Sequence, residues 1–260
     1  MKVEPFLWLM ISCSLLIIAF ILIPLFEMVA QPTAAAMAET FQDADVLRSI
    51  LFSVSTAAAA AVISFVLGTP FAYLLARRTF PGKKIMESVV DLPIMIPHPV
   101  VGIALLSIAG RNHWIGQHLQ AMGITLMGTA TGIIAVMTFV GIPFYINTVK
   151  TGFESIPVRA ENVARSLGAS RSGAFFRVTF PLAWRSMVVG MIMCMARGIS
   201  EFGAIVIVAY HPMVASVMIY ERFTAYGIKY SQPVAVWLIL ICLFLFLLLR
   251  FFSIQPKSTT

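Results

Sequence analysis

The chain has 260 residues, of which 60% are hydrophobic and only 11% charged, and its 18 Lys and Arg against 11 Asp and Glu give a formal charge of +7. An ordinary soluble domain is about 25% charged, and a soluble core of this length has no room for so many apolar side chains, whereas lipid does. The positive charge does not mark a nucleic-acid binder, which needs a basic face on a polar domain, because here Lys and Arg lie between apolar runs.

The pattern predicts an all-α integral membrane protein with about six spans, each about 20 residues or longer. The first runs from Phe6 to Val29. Lys2 and the Ala-rich segment Ala34–Ala38 offer a signal-peptide reading, but the uncharged stretch Pro5–Phe26 is 22 residues, longer than a signal core of about 7–15, and is read as a retained helix. The second span lies between Arg48 and Arg77. The third runs from Ile85 to Gly110 with Glu87 and Asp91 near its start, the fourth from Ile124 to Val149, the fifth from Leu182 to Tyr210 and the sixth from Pro233 to Leu249. This divides the chain into an N-terminal helix and outer loop (1–46), a transmembrane core (47–252) containing a polar loop (150–184), and a tail (253–260). Cys13, Cys194 and Cys242 sit in apolar runs without C-x-x-C spacing and read as packing residues.

With six spans and the N-terminus inside, thirteen Lys and Arg fall on one side. Only Arg48, Arg111, Arg222 and Lys229 fall on the other, and Arg197 lies within a span. The positive-inside rule therefore predicts cytoplasmic termini. On the outer side, Tyr220, Phe223, Tyr226 and Tyr230 suit an interfacial aromatic belt.

The loop from Lys150 to Trp184 is the most polar part of the chain. Ser155 and Pro157 read as a helix start and Gly168 as its stop. Ala160, Val163, Ala164 and Leu167 recur at i, i+3, i+4 and i+7 and predict one apolar face, with Arg159, Glu161 and Arg165 on the others. Ser170 caps a second short helix through Arg177, and Pro181 ends the insert. A short amphipathic helix outside the membrane needs a cover for its apolar side, either a partner or the lipid surface.

The run from Ala160 to Ser170, followed by Phe175 to Pro181, resembles the "EAA" loop of ABC importer permeases. Asn162 stands where the family carries Glu and Val163 where it carries the first Ala, while Ala164, Gly168 and Pro181 match. The resemblance implies the type I importer permease fold, in which this loop docks in a cleft of a cytoplasmic ATPase, and it assigns Ala160, Glu161, Asn162, Val163, Ala164, Arg165, Leu167, Gly168 and Pro181 to that contact. The segment Ala196–Ala204 (A-R-G-I-S-E-F-G-A) and the proline-rich Asp91–Leu106 resemble segments of molybdate, tungstate and sulfate permeases. Arg197 and Glu201 are spaced i, i+4 and can pair on one helix face, as a gate or pathway element or as a packing salt bridge. Pro93, Pro97 and Pro99 lack backbone N–H groups and predict a kinked or broken helix at a pore or subunit interface. Arg197, Ser200, Glu201, Pro97 and His98 are thus pathway or gate candidates, with a packing role the alternative for His98.

The chain contains no G-x-x-x-x-G-K-[ST], no H-E-x-x-H and no G-x-S-x-G, so a non-catalytic subunit without a cofactor or metal of its own is expected. The resemblance supplies the rest: a prokaryotic cell-membrane permease, two copies forming the pathway for a tetrahedral oxyanion. Two ATPase subunits that bind ATP and Mg would sit below and an extracytoplasmic binding protein above. Sulfate, thiosulfate or phosphate is the alternative cargo. An ion-coupled secondary transporter is the alternative of another class, disfavoured because Glu201 has few intramembrane carboxylate companions and no inverted repeat is visible.

Overall fold

The computed structural model describes the backbone of residues 5–110 and 112–253 and the side chains of 6–110 and 112–247. Lys2, Arg111 and Lys257 of the charge count, the side chain of Arg250, and the tail beyond residue 253 lie outside what it describes. The described chain is helical: α1 (Pro5–Ala30), α2 (Ala34–Gln42), α3 (Ala44–Arg77), α4 (Lys83–Met95), α5 (His98–Ala109), α6 (Trp114–Ala121) and α7 (Ala130–Glu154) are followed by α8 (Val158–Ser166) and α9 (Arg171–Ala174). A π-turn (Phe175–Thr179) then leads into α10 (Phe180–Ile199), α11 (Ile205–Val208), α12 (Ala215–Tyr226) and α13 (Ile228–Ser253).

Five of these segments are long and apolar enough to cross a membrane: α1, α3, α7, the run Arg171–Ile199 that includes α10, and α13. The pair α4 and α5, bent by 110° at its break, makes a sixth if counted as one span. Each of the six expected stretches contains helix: the third is broken, as its prolines predict, the fourth begins at Ala130 rather than Ile124, and the fifth is shorter than expected. The third is not one helix. Its chain turns at Ile96 and Pro97, where Pro97 and Pro99 supply no N–H to continue the ladder. The fifth stops at Ile199, and the residues expected to extend it to Tyr210 form a break and the short α11.

Three further helices occupy what the sequence reads as loops. In α2, Thr33 caps the first turn, and in α6, the His113 ring does the same. The third, α12, fills most of the connection between the fifth and sixth spans. Its Arg222 pairs with Asp43, the N-cap of α3, and so ties that connection to the bundle. Tyr220, Phe223, Tyr226 and Tyr230 are all exposed. Along α1 the apolar side chains from Phe6 to Phe26 and Val29 are exposed, and Met28 is half-buried.

The core is the three-helix pack of α3, α7 and α10. Between lipid-solvated helices, association depends on close van der Waals fit and interhelical hydrogen bonds rather than on expelling water, so small residues line the seams. A Cβ on Gly141 would lie 2.5 Å from the Cys194 sulfur, and one on Gly152 would lie 2.3 Å from the Ser186 Cβ. The buried Tyr145 fills the middle, and its hydroxyl shares a 2.7 Å hydrogen bond with Thr69 Oγ1 on α3. On the far side of α7, Asn147 donates to Asp91 at 2.7 Å and Lys150 pairs with Glu87, which fixes the charged start of α4 against the bundle.

The Gly152–Ser186 seam makes a compensated prediction. Gly152→Ala lowers the thermal midpoint of the detergent-solubilised protein by an overpacking penalty of about 1–3 kcal/mol. Adding Ser186→Gly recovers most of it, because the methyl then fills the vacated space. If the double variant is no more stable than the single one, the seam is not packed this tightly.

Candidate functional site

Two constellations stand out, one at each place where the bundle departs from plain spanning helices. The first is built around α8. Pro157 precedes its first turn, where a missing N–H costs nothing. Gly168 closes it at φ +92°, with Gly168 N–H bonded to Arg165 O and Ala169 N–H to Ala164 O, the paired bonds of a left-handed helix stop. Start and stop fall where the sequence places them. The apolar face does not turn inward as one stripe. Ala160 and Ala164 are half-buried, whereas Val163 is 51% and Leu167 83% exposed. Asn162 and Arg165 are exposed as well.

The side of α8 that does face the protein carries Glu161, whose carboxylate is buried. Arg77 Nε donates to Oε1 at 2.8 Å, Thr179 Oγ1 to the same oxygen at 2.9 Å, and Tyr73 hydroxyl to Oε2 at 2.9 Å. Arg77 also reaches the Ile156 carbonyl at 3.1 Å. One carboxylate thus joins α8 to the end of α3 and to the last residue of the π-turn. Burial pushes the Glu161 carboxyl up, but the hydrogen bonds from Tyr73, Arg77 and Thr179 and the Arg77 charge outweigh it and hold the group below its ordinary value of 4.5. The position expected to hold the acid, 162, carries Asn. The acid one residue earlier makes the ion pair, and nothing in the sequence pattern distinguishes its inward direction from that of Arg159.

Pro181 does not end the insert. Ser170 caps α9 through Gly173 N–H at 3.0 Å, and the helix then runs on through the π-turn into α10, with Pro181 in that helix's first turn. A proline donates no hydrogen bond to the residue four before it and its ring crowds that carbonyl. The wider π-turn just ahead of it, where Phe180 N–H reaches back to Phe175 O, lets the helix pass.

The second constellation lies where the two broken spans meet. Glu201 follows the end of α10 and is fully buried. Its Oε2 accepts from Arg197 Nη2 at 2.8 Å and its Oε1 from the Ala204 N–H at 2.9 Å, so the side chain fills the hydrogen-bonding gap left by the break. Ser216 on α12 donates to the Glu201 carbonyl at 2.8 Å. Arg197 Nη2 also contacts His98 Nε2 at the start of α5, and Arg197 Nη1 lies 3.5 Å from Ser200 Oγ. Close approach of the two breaks requires small residues. A Cβ on Gly203 would stand 3.0 Å from His98 Cβ, and one on Gly102 would stand 2.9 Å from the Ala204 carbonyl. The pair Arg197–Glu201 forms within one chain, and the candidates Pro97, His98, Arg197, Ser200 and Glu201 all gather here. They divide by direction: Glu201 points inward, while His98 and Ser200 are exposed and Arg197 is partly so.

The described chain is thus a helical bundle with a capped helix on its longest polar insert and a paired charge where two spans break. Residues 68–255 match the family of binding-protein-dependent transport system inner membrane components, and the chain belongs to that family, the permeases of ABC importers. It is 38% identical over 252 residues to the molybdate/tungstate transport system permease protein WtpB of Thermococcus kodakarensis, covering 96% of this chain and 97% of that one. It is 31% identical to the sulfate transport system permease protein CysT of Synechocystis, over 75% of this chain and 70% of the relative. Among solved structures, a bacterial ABC transporter for alginate, in complex with its alginate-bound periplasmic protein, matches with a TM-score of 0.74 at 18% identity. The match covers 97% of this chain and 96% of that one, and at that identity it speaks for the fold.

The Glu161 cluster carries a pH signature. A carboxyl whose folded value is depressed contributes stability that is complete above its ordinary value and is lost as the pH falls through the depressed one. Hydrogen exchange of the amides of 158–169 is therefore expected to stay slow down to about the ordinary carboxylate range and to rise below it. Glu161→Gln abolishes this pH dependence, and unchanged exchange in that variant would show that the cluster does not hold α8.

Proposed function

We propose that this chain is the permease subunit of an ATP-driven importer for a tetrahedral oxyanion, molybdate or tungstate, in which two copies form the pathway. In this reading the termini are cytoplasmic and the protein spans the prokaryotic cell membrane many times. Residues 150–184 face two ATPase subunits that bind ATP and Mg, and an extracytoplasmic binding protein delivers the anion from the other side. The observation that supports coupling most directly is α8 itself: among the described residues Val163 is half exposed and Leu167 almost wholly so. Glu161 meanwhile clamps the helix to α3 and the π-turn. Exposed apolar knobs on a rigidly held helix suit insertion into a partner's cleft, where a few buried side chains carry most of the binding energy.

Movement of the ATPases on binding ATP would then be passed through α8 to α3 and, through the continuous helix from Arg171 to Ile199, to the broken segment at Arg197 and Glu201. The permease performs no chemistry in this scheme. It turns the partner's motion into access for the anion. The cargo reading rests on the likeness to molybdate/tungstate permeases. A sulfate cargo is the second reading, supported by the likeness to sulfate permeases.

The test is ATP hydrolysis in liposomes containing this chain, its candidate ATPase and binding protein, with each oxyanion in turn. Molybdate- or tungstate-loaded binding protein is expected to stimulate hydrolysis, and Leu167→Asp to abolish that stimulation by placing a charge in the docking cleft. Stimulation by loaded sulfate alone would move the cargo while keeping the machine. If no ATPase associates and hydrolysis never responds, the coupling reading fails.

A further inference from the structure

The structure assigns a second role to the junction of the broken spans: we propose that Arg197 and His98, flanked by Ser200, form a donor-lined transit contact for the tetrahedral oxyanion. Glu201 would serve there as a buried counter-charge that keeps the contact weak. The inference rests on the proposed oxyanion cargo and adds to it a place where the anion touches the permease.

Direction is the first observation. Both Glu201 oxygens are engaged inside the protein, one by Arg197 and one by the Ala204 amide, and the residue has no exposed surface. What faces outward at the same junction is donor chemistry. Arg197 has five N–H groups, and three hydrogen bonds, to Glu201, His98 and Ser200, engage three of them. The His98 side chain is 48% exposed, and its Nε2 is taken by Arg197. A neutral ring whose Nε2 accepts carries its proton on Nδ1, so the remaining ring atom is a donor. No protein partner for it appears among the described residues. Ser200 adds an exposed hydroxyl.

The second observation is the backbone. Both the Met95–His98 turn and the 200–204 break interrupt helices inside apolar segments. Irregular backbone at membrane depth persists only where protein buries it or a wet cavity adjoins it. Here the Glu201 side covers one face of the junction, and the His98–Ser200 side stays open. The 12-residue α5 also begins at His98, which turns the positive end of its dipole toward that open side.

The third consideration is strength. An unpaired Arg would hold a dianion too firmly for turnover, whereas conduction needs contacts favourable enough to enter and weak enough to leave. The Arg197–Glu201 pair is neutral overall, so what remains for the anion is a set of directional N–H and O–H donors. These suit a tetrahedral oxyanion with acceptor oxygens on every side and give no purchase to a cation.

The experiment uses the whole transporter in liposomes, with Cys13, Cys194 and Cys242 replaced by Ala. Ser200→Cys is treated with a membrane-impermeant, negatively charged thiol reagent. The expected result is modification from the aqueous phase, slowed severalfold by excess tungstate or sulfate and not by chloride. No modification would place the junction against lipid or a second copy, and modification indifferent to both oxyanions would show a wetted junction that the anion does not touch; either result overturns the proposal. In a parallel series, His98→Ala is expected to lower uptake per ATP hydrolysed roughly tenfold, the loss of one charge-assisted donor. His98→Asn, which returns an N–H close to the place of Nδ1, restores most of it. Uptake per ATP that is unchanged in His98→Ala, or not rescued by Asn, would leave the histidine a packing residue and refute the contact. Failure of the wild-type complex to respond to any loaded binding protein would instead count against the cargo and coupling reading, since the thiol modification reads the junction without turnover.

Discussion

A backbone inside lipid has no water to bond with, and every departure from the helix must be repaired by protein. In this chain the repair is concentrated in one side chain. Glu201, completely buried, takes up the Ala204 N–H and the Arg197 guanidinium at the point where α10 gives out. Its own carbonyl is met by Ser216. An ionised carboxylate there is tolerable only because both its oxygens are satisfied, and an Arg at that depth is tolerable only because it has this partner. With that repair in place the chain can turn, start α11 and bring Gly203 against the beginning of α5. Two broken spans can therefore share one junction.

Glu161 plays the corresponding part at the other end of the molecule. It too is a buried acid with an arginine partner, and it too bridges elements far apart in sequence, Tyr73 and Arg77 on one side and Thr179 on the other. Between the two junctions runs a continuous helical segment from Arg171 to Ile199, seated on α7 by the Gly152–Ser186 and Gly141–Cys194 contacts. Under the coupling proposed above, this rod with a charged anchor at each end is the physical carrier of motion from α8 to the broken spans. The π-turn ahead of Pro181 gives the rod its one locally widened point.

Much of the fold was legible because hydropathy over twenty residues is a local property. Each of the six apolar stretches contains helix, and the stop at Gly168 and the cap at Ser170 fall where turn chemistry places them. The errors have local causes as well. Pro181 reads as a terminator in isolation, but a π-turn absorbs it. The apolar positions of α8 predict one face in need of a cover, and of these Val163 and Leu167 stay exposed, because periodicity fixes which side chains share a face and not what covers that face. Tyr210 reads as part of the fifth span, since nothing in an apolar run announces that the helix inside it has stopped.

By itself the sequence determined that the protein lives in a membrane, roughly where it crosses, and that its longest polar insert is a capped helix followed by a second one. It also singled out Arg197, Glu201, His98 and Pro97, because charges and prolines inside apolar runs are expensive enough to be conspicuous. Only the tertiary structure decided that these residues, about a hundred positions apart, meet, that Glu201 turns inward while His98 turns outward, and that Glu161 rather than its neighbours clamps α8. The reason is the same in each case. Transfer free energy is summed along the chain and can be read there, whereas the direction of a hydrogen bond is settled by which helices happen to pack beside it.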